Sequence, residues 1–172
     1  MLQPTLQQAK ELAQEYAVIP VRRQIYADIR TPIEVLRILK KQSHHVYLLE
    51  SVENQEKWGR YTYLGFNPQM EVTCMNGIMT VRDAQGKVVK EQRVKHPDRF
   101  LEQFVEEHKA PVLEGFPTFA GGLVGYFSFD YIKYSEPTLN LDAEDQECFK
   151  DVDLMYFDKV IAYDNVTQKI SI

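Results

Sequence analysis

The sequence predicts an α+β fold, two packed and mostly antiparallel β-sheets with about three outer helices, on three observations. Three segments space their apolar residues with a period of 3.6. From His45 onward most of the chain alternates with a period of 2 instead. Asn76-Gly77 separates two of these alternating runs, and that dipeptide favours a hairpin because both central residues of a type I′ turn need positive φ.

Taken in order, Thr5 to Ala17 aligns Leu6, Ala9, Leu12, Ala13 and Tyr16 on one helical face and leaves Gln7, Gln8, Lys10, Glu11, Gln14 and Glu15 outside. Val21 to Tyr26 reads as extended. Thr31-Pro32-Ile33-Glu34 is a capping box with proline at the first helical position. The helix it opens runs to about Lys41, with Ile33, Leu36 and Leu39, joined by Val35 and Ile38, facing a core. Val46 to Val52 and Arg60 to Phe66 read as strands, the second stopped by Asn67-Pro68. Glu71 to Met75, Ile78 to Arg82 and Lys87 to Arg93 follow, so four strands read as a meander. Asp98 to Lys109 is the third helix, with Phe100, Leu101, Phe104, Val105 and His108 on one face; His108 reads as a packed core-edge histidine. Beyond a linker-like 111–117 come the glycine-rich run Phe119 to Phe129, a short helical turn from Asp130 to Glu136, and an acidic loop from Leu139 to Asp151. Val152 to Phe157, Lys159 to Tyr163 and Gln168 to Ile172 are strands. The last alternation is still running at the final residue, so the terminus reads as a cut.

The 172 residues are one domain's worth of chain, and 44% hydrophobic, 26% charged and 12% aromatic residues describe a globular protein. The longest apolar run is too short for a membrane span and Met1 to Tyr16 has no signal-peptide core, which reads as a cytoplasmic protein. A net charge of -5 without a basic block disfavours a nucleic-acid partner. Cys74 and Cys148 lack metal or redox spacing and read as reduced thiols.

The generic catalytic templates fail. Gly121-Gly122-Leu123-Val124-Gly125 has neither dinucleotide nor phosphate-loop spacing, and close backbone approach in a strand explains its glycines. The acidic stretch through Asp142, Glu144, Asp145, Glu147, Asp151 and Asp153 lacks the turn glycine of a calcium loop. His44-His45 would point to opposite sides of a strand. One cluster asks for a ligand: Glu50 and Ser51 end an apolar strand, and Arg60 follows the loop containing Trp58. A carboxylate, a hydroxyl and a guanidinium beside an apolar wall suit a zwitterion. A plain Glu50 to Arg60 ion pair suits the same residues.

The segments Tyr47-Leu48-Leu49-Glu50-Ser51 and Trp58-Gly59-Arg60-Tyr61-Thr62-Tyr63-Leu64-Gly65-Phe66-Asn67-Pro68 resemble the N-terminal region of anthranilate synthase component I, in the chorismate-utilising family. The likeness continues through Phe119 to Asp130, Glu136-Pro137 and Ile161-Ala162-Tyr163-Asp164. The resemblance implies that residues 1–172 are a single N-terminal regulatory domain, with the chorismate-binding catalytic domain absent from this chain. In the full-length enzyme chorismate and glutamine-derived ammonia, supplied by an amidotransferase subunit (component II), become anthranilate and pyruvate with magnesium; no metal is expected on this segment, and no catalysis by it alone. Glu50 and Ser51 would hold L-tryptophan, the feedback inhibitor, by its amino-acid end, and Arg60 is carried over with them. The aminodeoxychorismate synthase component I of the folate pathway, or a purely structural assembly module, are the alternative readings.

Overall fold

The computed structural model describes residues 2–50, 59–136, 138–139 and 145–172. In chain order its elements are β1 (Leu2–Gln3), α1 (Leu6–Leu12), β2 (Arg22–Tyr26), α2 (Pro32–Leu39), β3 (Val46–Leu49), β4 (Tyr61–Phe66), β5 (Met70–Met75), β6 (Ile78–Asp83), β7 (Val88–Arg93), α3 (Pro97–Glu107), β8 (Gly122–Phe127), a 3₁₀ helix (Phe129–Tyr134), β9 (Val152–Phe157), β10 (Val160–Asp164) and β11 (Lys169–Ser171). The fold is α+β. The chain passes back and forth between two compact units, Met1–Pro68 with His108–Gly121 and Phe157–Ile172, and Gln69–Glu107 with Gly122–Tyr156.

The first unit holds a six-stranded sheet in the order β1-β2-β11-β10-β4-β3, antiparallel throughout. Its core forms where α2 lies on one face: Leu39, Leu64, Tyr163 and Ile170 are buried, with Val35, Leu36, Val46 and Leu48 against them. The predicted capping box starts α2, with Thr31 Oγ1 accepting from the Glu34 N–H at 3.3 Å and Glu34 Oε2 accepting from the Thr31 N–H at 3.0 Å. Hydrogen bonding to Thr31 holds the Glu34 carboxyl below its ordinary pKa. Two expected core residues of α2 stay outside: Ile33 is 47% and Ile38 42% exposed, because the helix presents only Val35, Leu36 and Leu39 to the sheet. The first helix is shorter than its pattern, and its stripe is not buried, with Leu6 74% exposed.

The second unit holds a five-stranded sheet in the order β7-β6-β5-β9-β8, and α3 packs on it through Phe100, Leu101 and Phe104. Val72, Cys74, Met79 and Val152 are fully enclosed there, while Val105, expected inside, is exposed. The hairpin forms as predicted, Asn76 and Gly77 both adopting positive φ (48° and 75°). The expected four-strand meander stops at three. Asn67, at φ 48°, and Pro68 end β4, and the chain leaves for the other unit instead of closing a hairpin with β5. β4 is instead the interior strand between β10 and β3, with Thr62 and Leu64 almost wholly buried.

Gly125 carries out the close approach read from the glycine-rich run. A Cβ there would lie 2.0 Å from the Asp153 carbonyl oxygen, so only glycine lets β8 lie this close to β9.

Candidate ligand-binding site

Because β3 and β4 are antiparallel with Leu49 opposite Tyr63, the residue that follows β3 and the residue that precedes β4 emerge at one end of the pair. They are Glu50, which is exposed, and Arg60, whose side chain is 46% exposed. Ser51 and Trp58 lie outside the described residues.

Arg60 pairs with Asp164 and not with Glu50. Its Nη2 donates to Asp164 Oδ2 at 2.7 Å and its Nε to the same oxygen at 3.2 Å, while the guanidinium lies 5.0 Å from the centre of the Tyr61 ring. The turn joining β10 to β11 explains this choice. Asp164 Oδ1 accepts from the N–H groups of Val166 (3.0 Å) and Thr167 (3.1 Å), which aims Oδ2 at Arg60. The Asn165 N–H donates to the Arg60 carbonyl at 2.8 Å, and Asn165 Nδ2 reaches the Gly59 carbonyl and Thr62 Oγ1, each at 3.3 Å. The contacts of Asp164 and Asn165 with the Gly59-Arg60 segment join residues about a hundred apart, for which no local pattern exists.

Burial works against the Asp164 charge, but the Arg60 hydrogen bond and the Thr167 and Val166 N–H groups outweigh it and lower the carboxyl to about 2, from an ordinary 3.8. The same hydrogen bond raises the Arg60 pKa. A carboxyl lowered in the folded chain stabilises it fully above its unfolded pKa and loses that contribution as the pH falls towards 2. Since Arg60 is half-exposed, about 1–2 kcal/mol is expected from the pair after screening. Urea midpoints should therefore separate wild type from Asp164→Asn at pH 6 and converge near pH 2; an equal gap at both pH values would contradict the assignment.

The face of the sheet opposite α2 is aromatic here. Tyr47, Leu49, Tyr61 and Tyr63 alternate with the core residues Val46, Leu48 and Leu64, and so share that outer face. Phe119 packs edge-on against Tyr47 and Tyr63 with centroids 6.4 and 5.6 Å apart, and Tyr47 lies edge-on to Phe157 at 4.8 Å. The Tyr63 hydroxyl is 2.8 Å from Thr118 Oγ1. Tyr47 stands over Gly65, where a Cβ would fall 2.0 Å from the ring, and burial raises its phenol pKa. Its hydroxyl is enclosed without a hydrogen-bond partner among the described residues.

The acidic stretch is divided. Asp142 and Glu144 lie outside the described residues, Glu147 is exposed, and Asp153 pairs with Lys150 at 3.0 Å. Asp151 is buried as the hub of a network in the second unit. Its Oδ1 takes the Lys133 ammonium at 2.5 Å, and its Oδ2 accepts from the Tyr134 hydroxyl at 2.7 Å and the Asn76 N–H at 2.8 Å. Tyr134 in turn accepts from the Gly77 N–H at 2.7 Å, and burial and the Asp151 carboxylate raise its phenol pKa. This ties the hairpin turn to the 3₁₀ helix. No group of three or more His, Cys, Asp or Glu side chains that could hold a metal ion gathers among the described residues. No described helix is long and apolar enough to cross a membrane. Cys74 and Cys148 are free thiols, and burial raises the pKa of Cys74.

This chain is similar to known proteins in sequence and in structure. It is 35% identical over 175 residues to anthranilate synthase component 1 of Acetivibrio thermocellus, a match covering 100% of this chain and 34% of that protein. It is 36% identical over 155 residues to the Acinetobacter calcoaceticus protein of the same name, covering 88% of this chain and 31% of that protein. The chloroplastic anthranilate synthase alpha subunit 2 of Arabidopsis thaliana is 32% identical over 93% of this chain and 27% of its own length. Among solved structures, anthranilate synthase component I from Streptococcus pneumoniae TIGR4 superposes with a TM-score of 0.50 and 26% identity over 86% of this chain and 30% of that one. No family model matches. The chain thus spans about a third of the length of the curated relatives it matches.

Proposed function

This chain is homologous to the N-terminal region of anthranilate synthase component I, and on that premise we propose that it is the regulatory part of such an enzyme, sensing L-tryptophan as a feedback inhibitor. The whole protein would convert chorismate and glutamine-derived ammonia, delivered by a glutamine amidotransferase subunit, to anthranilate and pyruvate. Chorismate binding and the magnesium chemistry would belong to the part of the relatives that this chain does not span.

The observation that carries the reading is the register of β3 and β4, which brings Glu50 and Arg60 to one end of a strand pair whose outer face is aromatic. An exposed carboxylate suits an ammonium group, the guanidinium keeps N–H donors beyond those given to Asp164, and an aromatic surface suits an indole. Ser51, the next residue along the chain, would add its hydroxyl. Inhibition would then be a coupling between sites: tryptophan would favour one arrangement of regulatory and catalytic parts, a linkage typically of about 1–3 kcal/mol.

Isothermal titration calorimetry with L-tryptophan tests this. The chain should bind weakly, with Kd above about 1 μM, since part of the pocket would lie elsewhere. Glu50→Gln should weaken binding by about tenfold or more, the loss expected for a charge-assisted hydrogen bond. Ser51→Ala should weaken it less. Equal affinity for wild type and Glu50→Gln would remove these residues from the site, and conversion of chorismate by this chain alone would overturn the division of labour.

A further inference from the structure

A groove of about 610 Å³ runs between α1 and the turn at residues 113–116, wholly within the first unit, and it differs in chemistry from the strand-end cluster. Leu12 from the helix and Leu113 and Phe116 from the turn give it apolar lining, and Glu11, Glu15 and Glu114 line it with carboxylates. No Lys, Arg or His lines it among the described residues. Glu11 and Glu15 follow the polar face of the helix, which the periodicity turns to solvent; the fold sets that face against a concave apolar surface.

The walls are held in place. The Arg22 guanidinium lies 4.4 Å from the centre of the Phe116 ring, and donates to the Gly115 carbonyl and, at 3.0 and 2.8 Å, to Gln3 Oε1. Arg22 holds Gln3 and Phe116, which line the groove, and is not itself a lining residue. Thr5 and Gln8 form a reciprocal capping box that fixes the start of α1. Among the described residues Glu11 Oε1 accepts from a neutral donor, Gln7 Nε2 at 3.0 Å.

We propose that this groove docks an extended segment of another protein in which basic residues alternate with apolar ones. The spacing carries the choice of an extended chain. Glu11 lies in the last turn of α1 and Glu15 in the turn that follows it, where the Tyr16 N–H still bonds the Leu12 carbonyl at 3.0 Å, so the two are about one turn, on the order of 6 Å, apart. Alternate residues of an extended strand are about 6.6 Å apart. Two basic side chains at i and i+2 therefore match Glu11 and Glu15. The alternating apolar residues turn the opposite way, onto Leu12, Leu113 and Phe116. The volume lies within the roughly 300–1,000 Å³ of concave ligand sites.

The probe is a fluorescein-labelled hexapeptide alternating leucine and arginine, titrated with the 172-residue chain and read by fluorescence anisotropy. Saturable binding is expected in about 50 mM salt, weakened severalfold in about 500 mM salt as the charges are screened. The double substitution Glu11→Gln and Glu15→Gln should weaken it at least tenfold with the circular dichroism spectrum unchanged, whereas Glu50→Gln should leave it unaltered. A peptide of the same composition, three leucines followed by three arginines, should bind at least fivefold more weakly. The proposal is overturned if the double variant binds as tightly as wild type. It is also overturned if the block peptide or spermine binds as tightly as the alternating peptide, which would reduce the groove to a general site for organic cations.

Discussion

Replacing Asp151 with alanine is expected to destabilise the second unit by about 3–5 kcal/mol, the cost of breaking a buried, hydrogen-bonded ion pair from one side. The carboxylate is 5% exposed and serves three donors at once: the Lys133 ammonium, the Tyr134 hydroxyl and the Asn76 N–H. Alanine leaves all three without their acceptor, and the penalty comes from those stranded donors more than from the lost attraction. Lys133 is 29% exposed and can recover some hydration, which places the outcome nearer the lower bound. Hydrogen exchange should locate the effect. Protection should fall along β5, β6 and β9, whose turn and strand start are tied together through Asp151, and stay close to wild type in β4 and β10. A urea-measured loss below about 1 kcal/mol would mean that water satisfies these donors.

Gly125→Ala should be the second largest effect, about 3 kcal/mol or more. The new Cβ would stand 2.0 Å from the Asp153 carbonyl oxygen and 2.9 Å from Leu154 Cα, and both are backbone atoms that no side-chain rotation can move. The strand itself has to shift, and overpacking that forces backbone shifts typically costs about 1–3 kcal/mol, occasionally more. β8 is an edge strand, so its separation from β9 offers the cheapest relief. The expected signature is faster exchange of β8 amides with β5 and β6 protected. Gly86→Ala is the control, because nothing lies within 4 Å of the added carbon; its φ of +80° still imposes backbone strain, about 1 kcal/mol, but no steric conflict. Should both variants lose the same stability, backbone conformation and not strand approach would be the cause.

Much of the fold was legible because it rests on short-range chemistry. Thr31 and Glu34 are three residues apart and cap α2 as their spacing predicts. Asn76 and Gly77 turn the hairpin because they tolerate positive φ. What the pattern missed is partnership. Arg60 to Phe66 was recognisable as a strand, yet alternation is the same whether a strand pairs with its successor or with one about a hundred residues away, and β4 takes β10 rather than β5. The apolar spacing of α2 and α3 likewise overstated their buried faces, since a helix on a sheet hides only the stripe that the sheet touches, and Ile33, Ile38 and Val105 fall outside it. At the candidate site, Glu50 and Arg60 were found from their places at strand ends. The Asp164 carboxylate and the aromatic face on which Phe119 packs were not, because each joins residues from distant parts of the chain.

By itself, then, the sequence determined most of the elements, the α2 cap and the hairpin turn, the α+β class and the motifs that point to a family. The caps and turns among these follow from dihedral preferences and hydrogen bonds that reach only three or four residues. The tertiary structure alone decided that the strands divide between two units with separate cores, that Arg60 answers to Asp164, and that the polar face of α1 walls a groove. Each of these depends on which apolar faces bury one another. Burial is non-directional, so periodicity marks a face to be covered without naming what covers it.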